Sequence, residues 1–183
     1  KIKHNRFPFN YKLVSLRNFL ICLFSFTAFT LSAQQVQWAS DVVRFSTEYT
    51  RKQFAARQVL GKPDKLPAFG ESAVAWAPST PDNPAGEFIH VKFAQPQQVQ
   101  QVGIGESNCP GSVKEVILYS TTGKKYTVYE NLNIKPEFTT GGRIFRVFFP
   151  LTDYEVSEVR VVLNTKAIPG MNQIDCRSEE RRV

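Results

Sequence analysis

Glu106 and Asn108 stand one residue apart, where the kink Asn-Cys-Pro-Gly-Ser at 108–112 separates two strongly apolar runs. A carboxylate and an amide at the exit of an inner strand can take sugar hydroxyls through charge-assisted hydrogen bonds. The same residues also suit a plain connector, in which Asn108 closes an Asx turn and Pro110-Gly111 reverses the chain. Trp76, with Phe69 near it in sequence, offers either a flat apolar surface for a sugar ring or a plug for the end of a core. Asp64, Asp82, Asn83 and Glu87 are hard oxygen donors around the long segment 62–86. Calcium takes about six to eight such oxygens, so a structural calcium is one expectation and ordinary turn-forming Asp and Asn the other. Their spacing follows no regular calcium-loop pattern.

Support for catalysis is thin. His4 lies near the start of the chain and His90 on the polar side of an alternating run. Neither has a Cys or a second His at zinc-ligand spacing. There is no nucleophile elbow, P-loop or dinucleotide fingerprint. A carboxylate pair for glycoside hydrolysis is set by the fold and leaves no sequence spacing to read, but a small domain without a deep cleft argues against one. The chain therefore reads as non-catalytic. Lys124, Lys125, Arg143 and Arg146 read as solvated strand and turn charges, and Cys109 as a small, partly buried thiol.

The formal charge of +7 is concentrated at the ends. Residues 1–33 carry five Lys/Arg and no acid, and residues 177–183 three Arg and two Glu, leaving 15 Lys/Arg against 14 Asp/Glu in 34–176. A nearly neutral body lacks the field that steers a polyanion, which removes nucleic acid as a partner. The basic start followed by the apolar run 19–31 and small residues at 32–33 has the layout of a secretory signal, with 1–33 removed. That run is shorter than the ~20 residues needed to span a bilayer. The expected setting is therefore export to the periplasm, the outer membrane or the medium, with membrane attachment only through an uncleaved signal or a further domain.

Residues 177–183, Arg-Ser-Glu-Glu-Arg-Arg-Val, show no apolar periodicity and follow abruptly on Asp175. They resemble the translation of a sequencing adapter and read as a non-native tail, with Cys176 a junction codon and a last strand missing. A missing strand would leave an open sheet edge. With Cys22 in the signal, Cys109 is the one dependable cysteine, so packing and not a disulfide framework must hold the body.

The elements that would position these residues are strands. Apolar and polar residues alternate in 87–93, where Ile89, Val91 and Phe93 share a side, and again in 99–104, 113–119, 126–132, 143–149 and 156–163. Spacing of roughly ten residues with turns between, such as the one around Gly123, predicts an antiparallel sandwich or barrel. Trp38 is expected in the core. One short helix is expected over 47–61, with Phe54, Ala55, Gln58 and Val59 on one stripe and Gly61 as its left-handed end. The Pro-rich segment 62–86 is a long loop of the kind that tends to line ligand sites.

The order of "VLGKPD", "GEFIHVKF" and "ESNCPGSVKEVILY" resembles the galactose-binding-like, or discoidin-like, jelly-roll domain of exported bacterial proteins, some of which carry an OmpA-like domain further along. The resemblance runs from about residue 36 to 175. It implies an all-β antiparallel sandwich whose ligand loops gather at one end, over residues 34–176. It also implies a non-catalytic module that takes a glycan or envelope polymer, or else a structural domain that docks a protein or positions a downstream anchor. The fold alone does not choose between them.

Overall fold

A computed structural model describes residues 35–136 and 141–181. The expected signal at 1–33 lies outside the described residues. Among the described residues the strands are β1 (Gln35–Phe45), β2 (Glu87–Gln97), β3 (Gln101–Asn108), β4 (Val113–Ser120), β5 (Lys125–Glu130), β6 (Arg143–Phe148), β7 (Val156–Leu163) and β8 (Gln173–Arg181). Every pairing is antiparallel, in the order β5-β4-β7-β2-β1-β8-β3-β6. β1 joins the two halves. Its residues from Ala39 onward pair with β2, while Gln35 to Trp38 pair with β8. The register shifts between Ala39 and Asp41, where the strand leaves one layer for the other.

Alternation puts one face of each layer inward. Ile89, Val91, Val116, Leu118, Val159 and Val161 meet Val102, Ile104, Val147 and Ile174 in one continuous core. Burying each such side chain is worth about 1.5–3 kcal/mol. On the outer side of the first layer His90 stacks on Tyr119, ring centroids 4.4 Å apart, with Nε2 2.9 Å from Glu158 Oε2. Arg160 lies over the Phe88 ring at 3.7 Å. Lys124 and Lys125 are exposed, as expected, and each lies over a tyrosine ring.

Three expectations change. The helix over 47–61 shrinks to a 3-10 turn at Ala56–Val59. Phe54 has a positive φ of 54° and Ala55 is extended, so the backbone cannot begin an α-helix before residue 56. The apolar stripe survives in part, with Ala55 and Val59 buried. Trp38 is only half-buried, because β1 crosses between layers there and Ala39 takes the core position. The backbone of 176–181 continues β8 and pairs with both β1 and β3, so the sheet edge expected to lie open for want of a last strand is filled at that place.

The start of β8 fastens the loops to the sandwich. Asp175 is 1% exposed and its carboxylate accepts backbone N–H bonds from Asp64 (3.2 Å), Lys65 (3.0 Å) and Leu66 (2.8 Å). Ile174 exchanges backbone hydrogen bonds with Trp76 in both directions. Gln173 Oε1 accepts from Ser72 N at 2.9 Å, and Asn172 Nδ2 donates to Cys109 O at 2.6 Å. Replacing Asp175 by Ala removes the shared acceptor of three part-buried amides, and hydrogen bonds to a charged group are the strong kind. Asp175→Ala is expected to lower unfolding free energy by about 3 kcal/mol, read as a shifted urea midpoint with an unchanged slope.

Candidate functional site

The register gathers the long connections at one end. Glu87 at the start of β2 and Val113 at the start of β4 both lie opposite Leu163, the last residue of β7. Asn108, the last residue of β3, lies opposite Gln173, the first of β8, and Arg143 opposite Glu106. The loops 46–86, 109–112 and 164–172 therefore share that end, and the short turns at 98–100 and 121–124 lie at the other.

The kink at 108–112 is a clamped connector. Glu106 is 1% exposed; its Oε1 accepts from Gly111 N and its Oε2 from Arg143 Nε, each at 2.8 Å. Arg143, expected to be solvated, is instead the ion-pair partner of a buried carboxylate; Arg146 is exposed, as expected. Asn108 Nδ2 donates to Met171 O at 2.9 Å. Cys109 and Gly111 take the left-handed conformations that fold the kink back, with φ of 45° and 106°. Trp76 is wholly buried, with Nε1 donating to Thr47 O at 2.9 Å, so it plugs the end of the core and offers no stacking face. Phe69 is exposed on the long loop.

The four candidate oxygen donors serve separate turns. Asp64 is exposed, and its amide is one of the three held by Asp175. Asp82 Oδ1 accepts from Gly170 N at 3.1 Å. Asn83 Nδ2 donates to Glu87 Oε1 at 2.7 Å, and the other oxygen of that buried carboxylate accepts from the Ser46 and Thr47 hydroxyls. Among the described residues no group of three or more His, Cys, Asp or Glu is placed to hold a metal ion.

What the loop end does form is a cleft of about 300 Å³ lined by Tyr49, Phe54, Glu71, Ala77, Met171 and Gln173. Tyr49 and Phe54 meet edge to face, centroids 5.5 Å apart, and Tyr49 remains 53% exposed. Backbone bonds set the pair: Tyr49 N to Ala77 O, Phe54 N to Ala73 O and Ala77 N to Phe54 O, at 2.9–3.1 Å. On the opposite strand Gln173 is buried; its Oε1 is taken by Ser72, and its Nε2 has no acceptor among the described residues. A buried donor without a partner costs about 1–3 kcal/mol. An exposed aromatic ring beside a few convergent polar groups is the usual composition of a small-ligand site. Sequence patterning does not single out these residues. The one available signal is an aromatic pair, Tyr49 and Phe54, in the otherwise polar stretch 46–53 and its boundary.

Cys109 sits beside this end. Burial first, and then the charges of Glu71 and Asp82, push its thiol above the ordinary range. Gly170 packs against it: a Cβ there would lie 2.8 Å from Sγ, at a φ of +103° that disfavours any side chain.

Sheet order, layer change and loop placement together define a galactose-binding-like β-sandwich. Residues 30–175 match the family described as "Pappalysin-1, SD scarf domain, C-terminal", and the chain belongs to that family. No curated protein matches the sequence. Among solved structures, chitosan-binding module 1 of a chitosanase/glucanase from Paenibacillus sp. IK-5 is 18% identical, with TM-score 0.50, over 76% of this chain and 92% of its own. A pectin-binding carbohydrate-binding module is 11% identical, with TM-score 0.53, over 79% and 94%. XRCC1 bound to the DNA polymerase β catalytic domain is 13% identical, with TM-score 0.57, over 81% and 100%. At these identities the likeness is one of fold.

Because the thiolate of Cys109 is disfavoured, its alkylation should be slow. Peptide mass mapping after iodoacetamide treatment at neutral pH is expected to show slower labelling of Cys109 in the folded chain than in urea. The gap should narrow as pH rises. Equal rates at neutral pH would contradict the assignment.

Proposed function

We propose that this domain is a non-catalytic recognition module that takes carbohydrate in the end cleft. The observation that carries the reading is the exposed Tyr49 ring, held by backbone bonds beside a cleft that the exposed Glu71 also lines. A sugar presents an apolar ring face and a rim of hydroxyls, which is what an aromatic plane and a polar acceptor complement. Two fold neighbours, a chitosan-binding module and a pectin-binding module, support the reading. The cleft lies at a loop end of the sandwich, and the resemblance implies ligand loops gathered at one end. The apolar run 19–31 and the basic residues before it support an exported, cell-envelope setting, with attachment to any anchor made elsewhere in the protein.

A second reading, a protein-docking domain, is favoured by the edge strand β6 and the loop after it, where Phe148 and Leu151 stand exposed. Among the described residues no helix is long and apolar enough to cross a membrane.

Isothermal titration with neutral and charged oligosaccharides tests the carbohydrate reading. Tyr49→Ala removes the stacking face from a residue that is half in solvent, so the melting temperature should stay within a degree or two. Affinity should fall about tenfold, the loss expected when roughly one large apolar contact is removed from a ligand. Silence across a glycan array with cooperatively folded protein would sink this reading. Binding to a protein partner lost on Phe148→Ser would raise the second.

A further inference from the structure

We infer that the end cleft selects sugars carrying a cation, a glucosamine-type residue whose ammonium pairs with Glu71, over neutral or uronic acid sugars. The inference rests on the carbohydrate reading of the same cleft and names the class of sugar.

Among the described residues Glu71 is the one charged residue in the lining, and it is exposed. Among the described residues its carboxylate has no hydrogen bond and no ion pair. It differs in this from Glu87, Glu106 and Asp175 at the same end of the sandwich, each of which is buried and fully engaged. Those three hold the structure together; Glu71 holds nothing. A second carboxylate, Asp82, accepts from Gly170 N next to Met171 of the lining, and both acids raise the thiol of Cys109 between them. The local field is therefore negative, and among the described residues no Lys or Arg lines the cleft. A uronic acid would meet that field unfavourably, and an ammonium favourably.

Gln173 lines the same cleft, but its Nε2 is closed off from solvent, so the selectivity falls to the exposed Glu71 and Tyr49. An acceptor such as Glu71 asks for N–H groups. An amino sugar brings its ammonium to Glu71 while its ring face lies on Tyr49. An N-acetylated sugar keeps the oxygens and loses the charge.

The test titrates the full chain, at mildly acidic pH and low salt, with three tetramers of matched length. These are β-1,4-linked glucosamine, its N-acetylated form, and oligogalacturonate. The glucosamine tetramer is expected to bind about tenfold tighter than the N-acetylated one, the size of one charge-assisted contact, with oligogalacturonate weakest. Added salt should erode the difference. Glu71→Gln should bring the glucosamine tetramer down to the affinity of the N-acetylated one, and Glu71→Lys should invert the order in favour of oligogalacturonate. If the N-acetylated tetramer binds as tightly as glucosamine, or if Glu71→Gln keeps the preference, the charge selection is overturned while carbohydrate recognition stands. If no tetramer binds a chain that melts cooperatively, both fall.

Discussion

A carboxylate closed off from water and shared among three backbone amides is the constraint on which the loop end depends. Asp175 faces the N–H groups of Asp64, Lys65 and Leu66, which cannot pair with a strand because the prolines at 63 and 67 interrupt any ladder there. Buried backbone donors must find acceptors, and a single carboxylate with several lone-pair sites meets three of them at once. The next residues back along the chain tie down other loops: Gln173 accepts from the Ser72 amide, Asn172 donates to the Cys109 carbonyl, and Ile174 bridges to Trp76. A long irregular segment is thereby turned into a wall of fixed shape. That wall is what allows an end cleft to exist on a small sandwich.

The two layers were readable because alternation is a direct imprint of which face is wet. Ile89, Val91 and Phe93 on one side of β2 and Val156, Val159, Val161 and Leu163 along β7 needed nothing beyond period two. Glu106 was legible as an alternative, ligand group or part of a connector. The pairing that neutralises it, Arg143 across the β3–β6 ladder, is visible only once register is known. Trp76 was legible as an alternative, plug or platform, and burial decided for the plug. The cleft itself was not legible. Tyr49, Glu71 and Gln173 stand 22 to 124 residues apart and share no spacing rule.

The helix expected over 47–61 shows how a local preference yields to a tertiary one. Its stripe of Ala55 and Val59 is real and buried, but three backbone bonds to the long loop take the amides and carbonyls that a helix would use. Phe54 N goes to Ala73 O, Phe54 O to Ala77 N, and Tyr49 N to Ala77 O. Phe54 accepts a left-handed backbone, and its ring gains the edge-to-face contact with Tyr49. Helix propensity is worth tenths of a kcal/mol per residue, less than the net value of these bonds together. The same exchange that ended the helix built one side of the cleft.

The division of labour among the acids at this end follows from burial. A carboxylate taken out of water must be matched by donors or by a cation, and Glu87, Glu106 and Asp175 each are. Such residues cannot be altered to suit a ligand without loosening the loops. Tyr49 and Glu71 are held through their backbones or not at all, and their side chains face solvent, so they can change with little effect on the sandwich. Fold neighbours at 11–18% identity can therefore share the wall and differ in what it faces. Among the lining side chains Tyr49, Phe54, Glu71 and Met171 are not buried, so the face of the cleft can be rewritten there without loosening the wall that Asp175 holds.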